Sequence, residues 1–260
     1  MIVSRRVVPG VVVSAGALLM APAHSLAASG GSGIGPAPVS QTLVSAPPVS
    51  PPGGTIDTVQ PGSGTVSATR NGITIATPVS GLLQNQMKFT GTLPATAAGV
   101  TVEIERLGFE TNWTWAPTAH ATAGANGAFT VVWRANHIGR FQIRAVVAGT
   151  DDAGAASASP TVTTIVYRLA IATQYGPGLY GNTTACGEVL RQRTLGTANR
   201  TLPCGTLVAL YYQGRTMVVP VIDRGPYANG ADWDLTEATG RALGIAGTAT
   251  IGAVSLPPPP

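Results

Sequence analysis

The sequence predicts an all-β protein in which an immunoglobulin-like β-sandwich leads into a second β-rich module carrying one short helix. Runs of alternating apolar and polar residues at 65–77, 86–93, 100–107, 112–116, 128–134, 140–147 and 161–167 are separated by Gly, Pro and Asn. Such alternation turns one face of each run toward a core, and short strands at close intervals define an antiparallel sandwich. Strand-like runs at 169–175, 206–212, 215–222 and 248–256 then flank a single helical candidate at 236–243. The boundaries expected are 62–167 for the sandwich and 168–256 for the second module.

Ahead of these lies an export signal. Arg5 and Arg6 precede an apolar run at 7–20, and the small residues Ala21, Ala23, Ala27 and Ala28 follow. This order assigns residues 1–28 to a secretory signal peptide. The paired arginines raise the twin-arginine route, but the Val-Val-Pro after them favours ordinary export. Pro9, Gly10 and Gly16 break the apolar run, which is short against the span of about 20 residues that crosses a bilayer. Cleavage, with no stable membrane insertion afterwards, is the expectation, and no cysteine follows the run to take a lipid anchor. Residues 29–61 are Gly, Ser, Pro, Ala, Val and Thr with one acid, Asp57, and no aromatic ring. They cannot bury enough apolar surface to fold and read as a disordered linker.

Only 10% of residues are charged, and the net charge of +4 rests on arginine, Lys88 being the only lysine. Without a basic block or basic-aromatic interleaving, nucleic acid is excluded as a partner. A monomeric, secreted protein is expected.

Within the sandwich, VTVEIERL at 100–107 sets Val100, Val102, Ile104 and Arg106 on one face, a half-buried strand. Trp113, Trp115 and Trp133 offer either a sugar-stacking platform or packing, and packing is the expected role. His120 and His137 have no partners at ligand spacing and are read as surface or packing residues. In the second module Thr236 is placed to cap the helix and Gly244 to end it. Glu237 then falls in the first turn, where a carboxylate suits the helix dipole. The chain closes on four prolines, 257–260, to which no function attaches.

The two cysteines, Cys186 and Cys204, are the only ones present. In an exported protein an isolated pair at this spacing reads as a disulfide. A metal site is disfavoured because no histidine and no second cysteine pair lie in this module, and a nucleophilic cysteine would lack a base to activate it. After them, VIDRGPY at 221–227 ends an apolar run on Asp223. An acid partly withdrawn from water at a strand end suits general acid chemistry, against the plainer reading of a turn-forming Asp.

Three segments carry a resemblance: YGPGLYGNTTACGE at 175–188, TLPCG at 201–205 and VIDRGPYANGADWDLTEATGRALGI at 221–245. In this order and spacing they resemble the rare lipoprotein A type of double-psi β-barrel, over about the last 90 residues. The resemblance implies a six-stranded barrel over 168–256 and a lytic transglycosylase that cuts peptidoglycan glycan strands in the cell wall, with neither metal nor organic cofactor. It assigns Asp223 as acid, with Glu188 and Asp234 as the accompanying catalytic carboxylates. Tyr175, Tyr180, Tyr227 and Trp233 become candidates for sugar stacking, and Asn199 and Arg224 for hydrogen bonding to sugar. Asn199 stands where the resembling pattern usually carries histidine, and an amide takes up no proton at neutral pH. That departure favours the alternative, a non-catalytic, expansin-like module that binds or loosens the wall.

Overall fold

The computed structural model describes residues 64–148, 159–227 and 230–258, all within one compact unit, Thr55–Pro260. The expected signal peptide and linker lie outside the described residues. Nine strands lead up to and into the barrel: β1 (Thr65–Arg70), β2 (Ile73–Pro78), β3 (Ser80–Leu82), β4 (Gln86–Thr92), β5 (Thr101–Leu107), β6 (Ala116–Thr122), β7 (Ala128–Arg134), β8 (Gly139–Val147) and β9 (Val162–Tyr175). One sheet runs β1-β2-β4-β7; the other continues β9-β8-β5-β6, with β3 parallel to β9. Their facing sides meet in one core, where Ile75, Phe89, Val131 and Trp133 pack against Val102, Ile104, Phe141 and Ile143.

Two expectations change here. The run at 65–77 is a hairpin rather than one strand, because Asn71 and Gly72 both take left-handed backbone (φ 53° and 76°). Asn-Gly is the pair that tolerates this conformation in a two-residue turn. The strand expected at 112–116 is absent. Residues Phe109–Thr111 form a 3-10 turn, Asn112 and Trp113 are left-handed (φ 50° and 57°), and β6 begins only at Ala116. Trp133 is a packing residue, 5% exposed and set edge-on to Phe141 at 6.0 Å between ring centroids. Trp115 lies under the Arg144 guanidinium at 4.3 Å. His137 does have a partner: its Nδ1 is 2.6 Å from Glu110 Oε2, and burial pushes the Glu110 carboxyl up to about 7.

The second core belongs to a closed barrel. Its strands are β9, β10 (Thr197–Ala198), β11 (Leu207–Tyr212), β12 (Arg215–Asp223), β13 (Trp233–Thr236) and β14 (Ala249–Leu256). The order β13-β10-β12-β11-β14-β9 closes by parallel pairing of β13 with β9. The runs expected at 161–167 and 169–175 are halves of one strand: β9 gives Val162 and Val166 to the first core and Ala170 and Ala172 to the barrel. Helix α1 (Glu237–Leu243) follows β13. Thr236 Oγ1 accepts the Thr239 N–H at its start, and Gly244 ends it at φ 80°, both as expected. Leu243 and Ile245 close over the barrel core. Among the described residues, no helix is long and apolar enough to cross a membrane.

One irregularity decides where the acids point. In β12 the side chains of Val219 and Val221 fill the barrel, so strict alternation would turn Asp223 inward as well. But Thr197 pairs with Val221 while its neighbour Ala198 pairs with Asp223, so Ile222 is an extra residue in β12. This bulge re-aims Asp223 onto the face of Ala198. Ile222 itself is buried against Gly196, where an added Cβ would lie 2.6 Å from both Ile222 Cγ1 and Cδ1. Gly196→Ala is therefore expected to force Ile222 aside and destabilise the protein by about 1–3 kcal/mol, measured as a lower urea midpoint.

Candidate functional site

The bulge brings the two aspartates into register. Ala198 pairs with Asp223 on one side and with Asp234 on the other, and Asp234 in turn pairs with Thr173 of β9. The four residues form one row across β12, β10, β13 and β9 on the outer face of the barrel. Asp223 and Asp234 flank Ala198, so their backbones stand two inter-strand spacings apart, about 10 Å. The row is confirmed at one end by the Thr173 hydroxyl, which donates to Asp234 Oδ1 at 2.8 Å. Burial pushes the Asp234 carboxyl above the ordinary aspartate range; the Thr173 hydrogen bond offsets part of this and the charge of Asp223 adds to it.

Asp223 is gripped by backbone. Its Oδ1 accepts the N–H of Arg224 at 2.8 Å and that of Ala185 at 2.9 Å. The first bond stiffens the DRGP turn, and the second ties the TACGE loop to the end of β12. That loop is folded tightly on itself: Thr184 N–H donates to Glu188 O at 2.7 Å and Gly187 N–H to Thr184 O at 2.9 Å. Cys186 N–H reaches Ile222 O, and a disulfide joins Cys186 to Cys204 with the Cα atoms 5.6 Å apart. The expected disulfide is thus present, and it braces the loop that carries Glu188. The Glu188 side chain projects into solvent.

The polar candidates divide. Asn199 Oδ1 accepts the N–H groups of Thr201 (3.1 Å) and Leu202 (3.0 Å), so it shapes the TLPCG turn. Arg224 donates to Asn199 O at 3.2 Å and to Cys204 Sγ at 3.2 Å, stapling the same turn to β12. These contacts make both residues part of the scaffold behind Asp223. Of the aromatic candidates, Trp233 is corrected: it is 5% exposed in the barrel core beside Leu235, because β13 alternates and only Asp234 between them faces outward. Tyr180 donates its hydroxyl to Glu237, which also pairs with Arg241 one helical turn on. Tyr227, 79% exposed, is open to a ligand. Tyr175 ends β9 two residues beyond Thr173, on the same face as the aspartates. Burial, then the charges of Asp223, Asp234 and Glu188, push its phenol well above the usual tyrosine range.

Sequence reasoning passed over Thr173 and Ala185. Neither has catalytic chemistry of its own; the register of β13 and the fold of the loop give them their roles. Among the described residues, no three His, Cys, Asp or Glu side chains come together to hold a metal ion.

An outward row of carboxylates on a six-stranded barrel with crossed parallel and antiparallel pairing defines the class, a double-psi β-barrel. Residues 172–255 match the family model described as lytic transglycolase. The same segment is 46% identical over 77 residues to the probable endolytic peptidoglycan transglycosylase RlpA of Synechocystis, covering 29% of this chain and 24% of that protein. It is 38% identical over 81 residues to the probable RlpA of Aquifex aeolicus, covering 30% and 36%. Against the endolytic peptidoglycan transglycosylase RlpA of Yersinia pestis it is 40% identical over 80 residues, covering 30% and 22%. The C-terminal module is an RlpA-like double-psi β-barrel. The match spans only about a quarter to a third of each relative.

Because its folded pKa is raised, the Asp234 carboxyl favours the folded state most when protonated. That contribution is complete below the unfolded value of about 4 and is lost as pH rises through the folded value. Asp234→Asn keeps an oxygen for the Thr173 hydroxyl and carries no charge. Its melting temperature is expected to exceed that of the wild type at pH 7, with the gap closing below about pH 4.

Proposed function

We propose that this chain is an exported lytic transglycosylase acting on peptidoglycan glycan strands, cutting the β-1,4 bond between N-acetylmuramic acid and N-acetylglucosamine. The observation that carries the reading is Asp223 turned outward by the Ile222 bulge, with Oδ1 held by two backbone N–H groups, inside the segment that matches the lytic transglycolase family model. Two fixed donors on one oxygen orient the carboxyl toward a sugar lying along the row.

In the proposed reaction Asp223 donates its proton to the glycosidic oxygen as the bond from that oxygen to the muramoyl anomeric carbon breaks. The muramoyl 6-hydroxyl then attacks the same carbon and returns its proton to the Asp223 carboxylate, closing a 1,6-anhydro ring without consuming water. An intramolecular nucleophile needs one well-placed acid/base rather than the carboxylate pair of a hydrolase. Asp234 and Glu188 supply negative charge against the oxocarbenium-like carbon, and Tyr227 offers an exposed ring for sugar stacking. The sheets ahead of the barrel are read as an immunoglobulin-like module presenting it to the wall.

A second reading, a non-catalytic wall-binding or wall-loosening module, draws on Asn199, whose side-chain oxygen serves the TLPCG turn and which supplies no proton carrier. Digestion of purified glycan strands with mass analysis of the products separates the two. The enzyme is expected to leave 1,6-anhydro-muramoyl ends, and Asp223→Asn to reduce their rate of formation by at least about a hundredfold. Binding without new ends favours the wall-loosening module, and reducing ends would mean hydrolysis.

A further inference from the structure

Tyr175 has a hydroxyl that the proposed reaction leaves unused. It is fully enclosed and, among the described residues, has no hydrogen-bond partner. A buried donor left without an acceptor is destabilising, so such a group in a formed site calls for an explanation. Its position supplies one. Tyr175 ends β9, and alternation along that strand puts its ring on the face of Thr173, the residue in register with Asp234 and, through Ala198, with Asp223. The acceptors on that face are carboxylates. Thr173 donates to Asp234 Oδ1, and on Asp223 both backbone donors converge on Oδ1. Asp223 is also the largest of the charges acting on the phenol, ahead of Asp234 and Glu188. Held neutral by burial and by those charges, the phenol keeps its proton and meets a carboxylate as the donor.

Resting on the transglycosylase reading above, we propose that Tyr175 is a positioning residue whose O–H donates to the Asp223 carboxylate once that acid has passed its proton to the glycosidic oxygen. The bond forms as the group becomes charged, so it favours the transition state over the resting site. Hydrogen bonds of catalytic groups commonly tighten only in the reacting complex. Sugar stacking, the role expected of this ring, is replaced by hydrogen bonding from its hydroxyl.

The test is Tyr175→Phe, which removes the oxygen and keeps the ring. A hydrogen bond to a charged group of ordinary strength corresponds to a fall in kcat of about ten- to a hundredfold, with KM within about twofold of wild type. Removing a donor to the carboxylate leaves the acid's proton more tightly held, so the alkaline limb of the pH-rate profile moves to higher pH. A changed KM with unaltered kcat and pH profile would make Tyr175 a sugar contact and overturn the proposal. So would wild-type kinetics in a variant with an unchanged melting temperature. A second arm needs no catalysis: the Tyr175 13Cζ resonance of the intact protein should follow a carboxyl titration, and Asp223→Asn should abolish that response. A resonance that ignores pH, or responds equally in the Asn variant, overturns the inference. A responding resonance in a protein that leaves no anhydro ends would sink the transglycosylase reading while the Tyr175–Asp223 coupling stands.

Discussion

The packing of Ile222 against Gly196 is the contact on which the outward row of acids depends. Strand β12 contributes Val219 and Val221 to the barrel core, and if alternation ran unbroken through Ile222 the next side chain on that face would be a carboxylate buried among them. Such burial of an unpaired charge is among the costliest substitutions a core can suffer. The bulge removes the conflict by seating Ile222 against Gly196, where it is 4% exposed and where an added side chain at position 196 would collide with it. A packing requirement between Gly196 and Ile222 thereby determines which way the acid points.

Around the re-aimed aspartate the supporting contacts are mostly main chain. Ala185 and Arg224 present N–H groups, Cys186 N–H closes onto Ile222 O, and Asn199 N–H closes onto Asp223 O at 3.1 Å. The disulfide and the Arg224 guanidinium add two further ties to the TLPCG turn. On the far side of the TACGE loop, Tyr180 fastens to Glu237 at the start of α1. Preorganised dipoles of this kind cost no reorganisation when charge develops. Asp223 accordingly sits on a rigid frame although two of the segments that hold it are loops.

Much of the barrel was readable in advance where a local rule governs. The Thr236 cap, the Gly244 terminus, the Cys186–Cys204 pair and the longer strands follow from short-range chemistry or from strict alternation. What escaped depends on partners far away in the chain. Strand β10 is only Thr197–Ala198, too short for any periodicity, yet it joins the two aspartates. Strand β13 has four residues, and its inward and outward faces are settled by pairing with β9 and β10; hence Trp233, attractive as an exposed ring, lies in the core. The Asn71-Gly72 turn was visible as a dipeptide, but the alternation running through it masked the reversal. The left-handed backbone at Asn112 and Trp113 carried no comparable signal, because tryptophan seldom adopts it.

Strand β9 has a mechanical meaning as well as a topological one. Over 14 residues, about 45 Å of extended backbone, it runs from the first core, where it places Val162 and Val166, to Tyr175 with no loop to absorb bending. A pull applied at the start of β9 travels along peptide bonds to the face that carries Thr173 and Tyr175, and the parallel ladder between β9 and β13 takes the load in shear, shared among several hydrogen bonds at once.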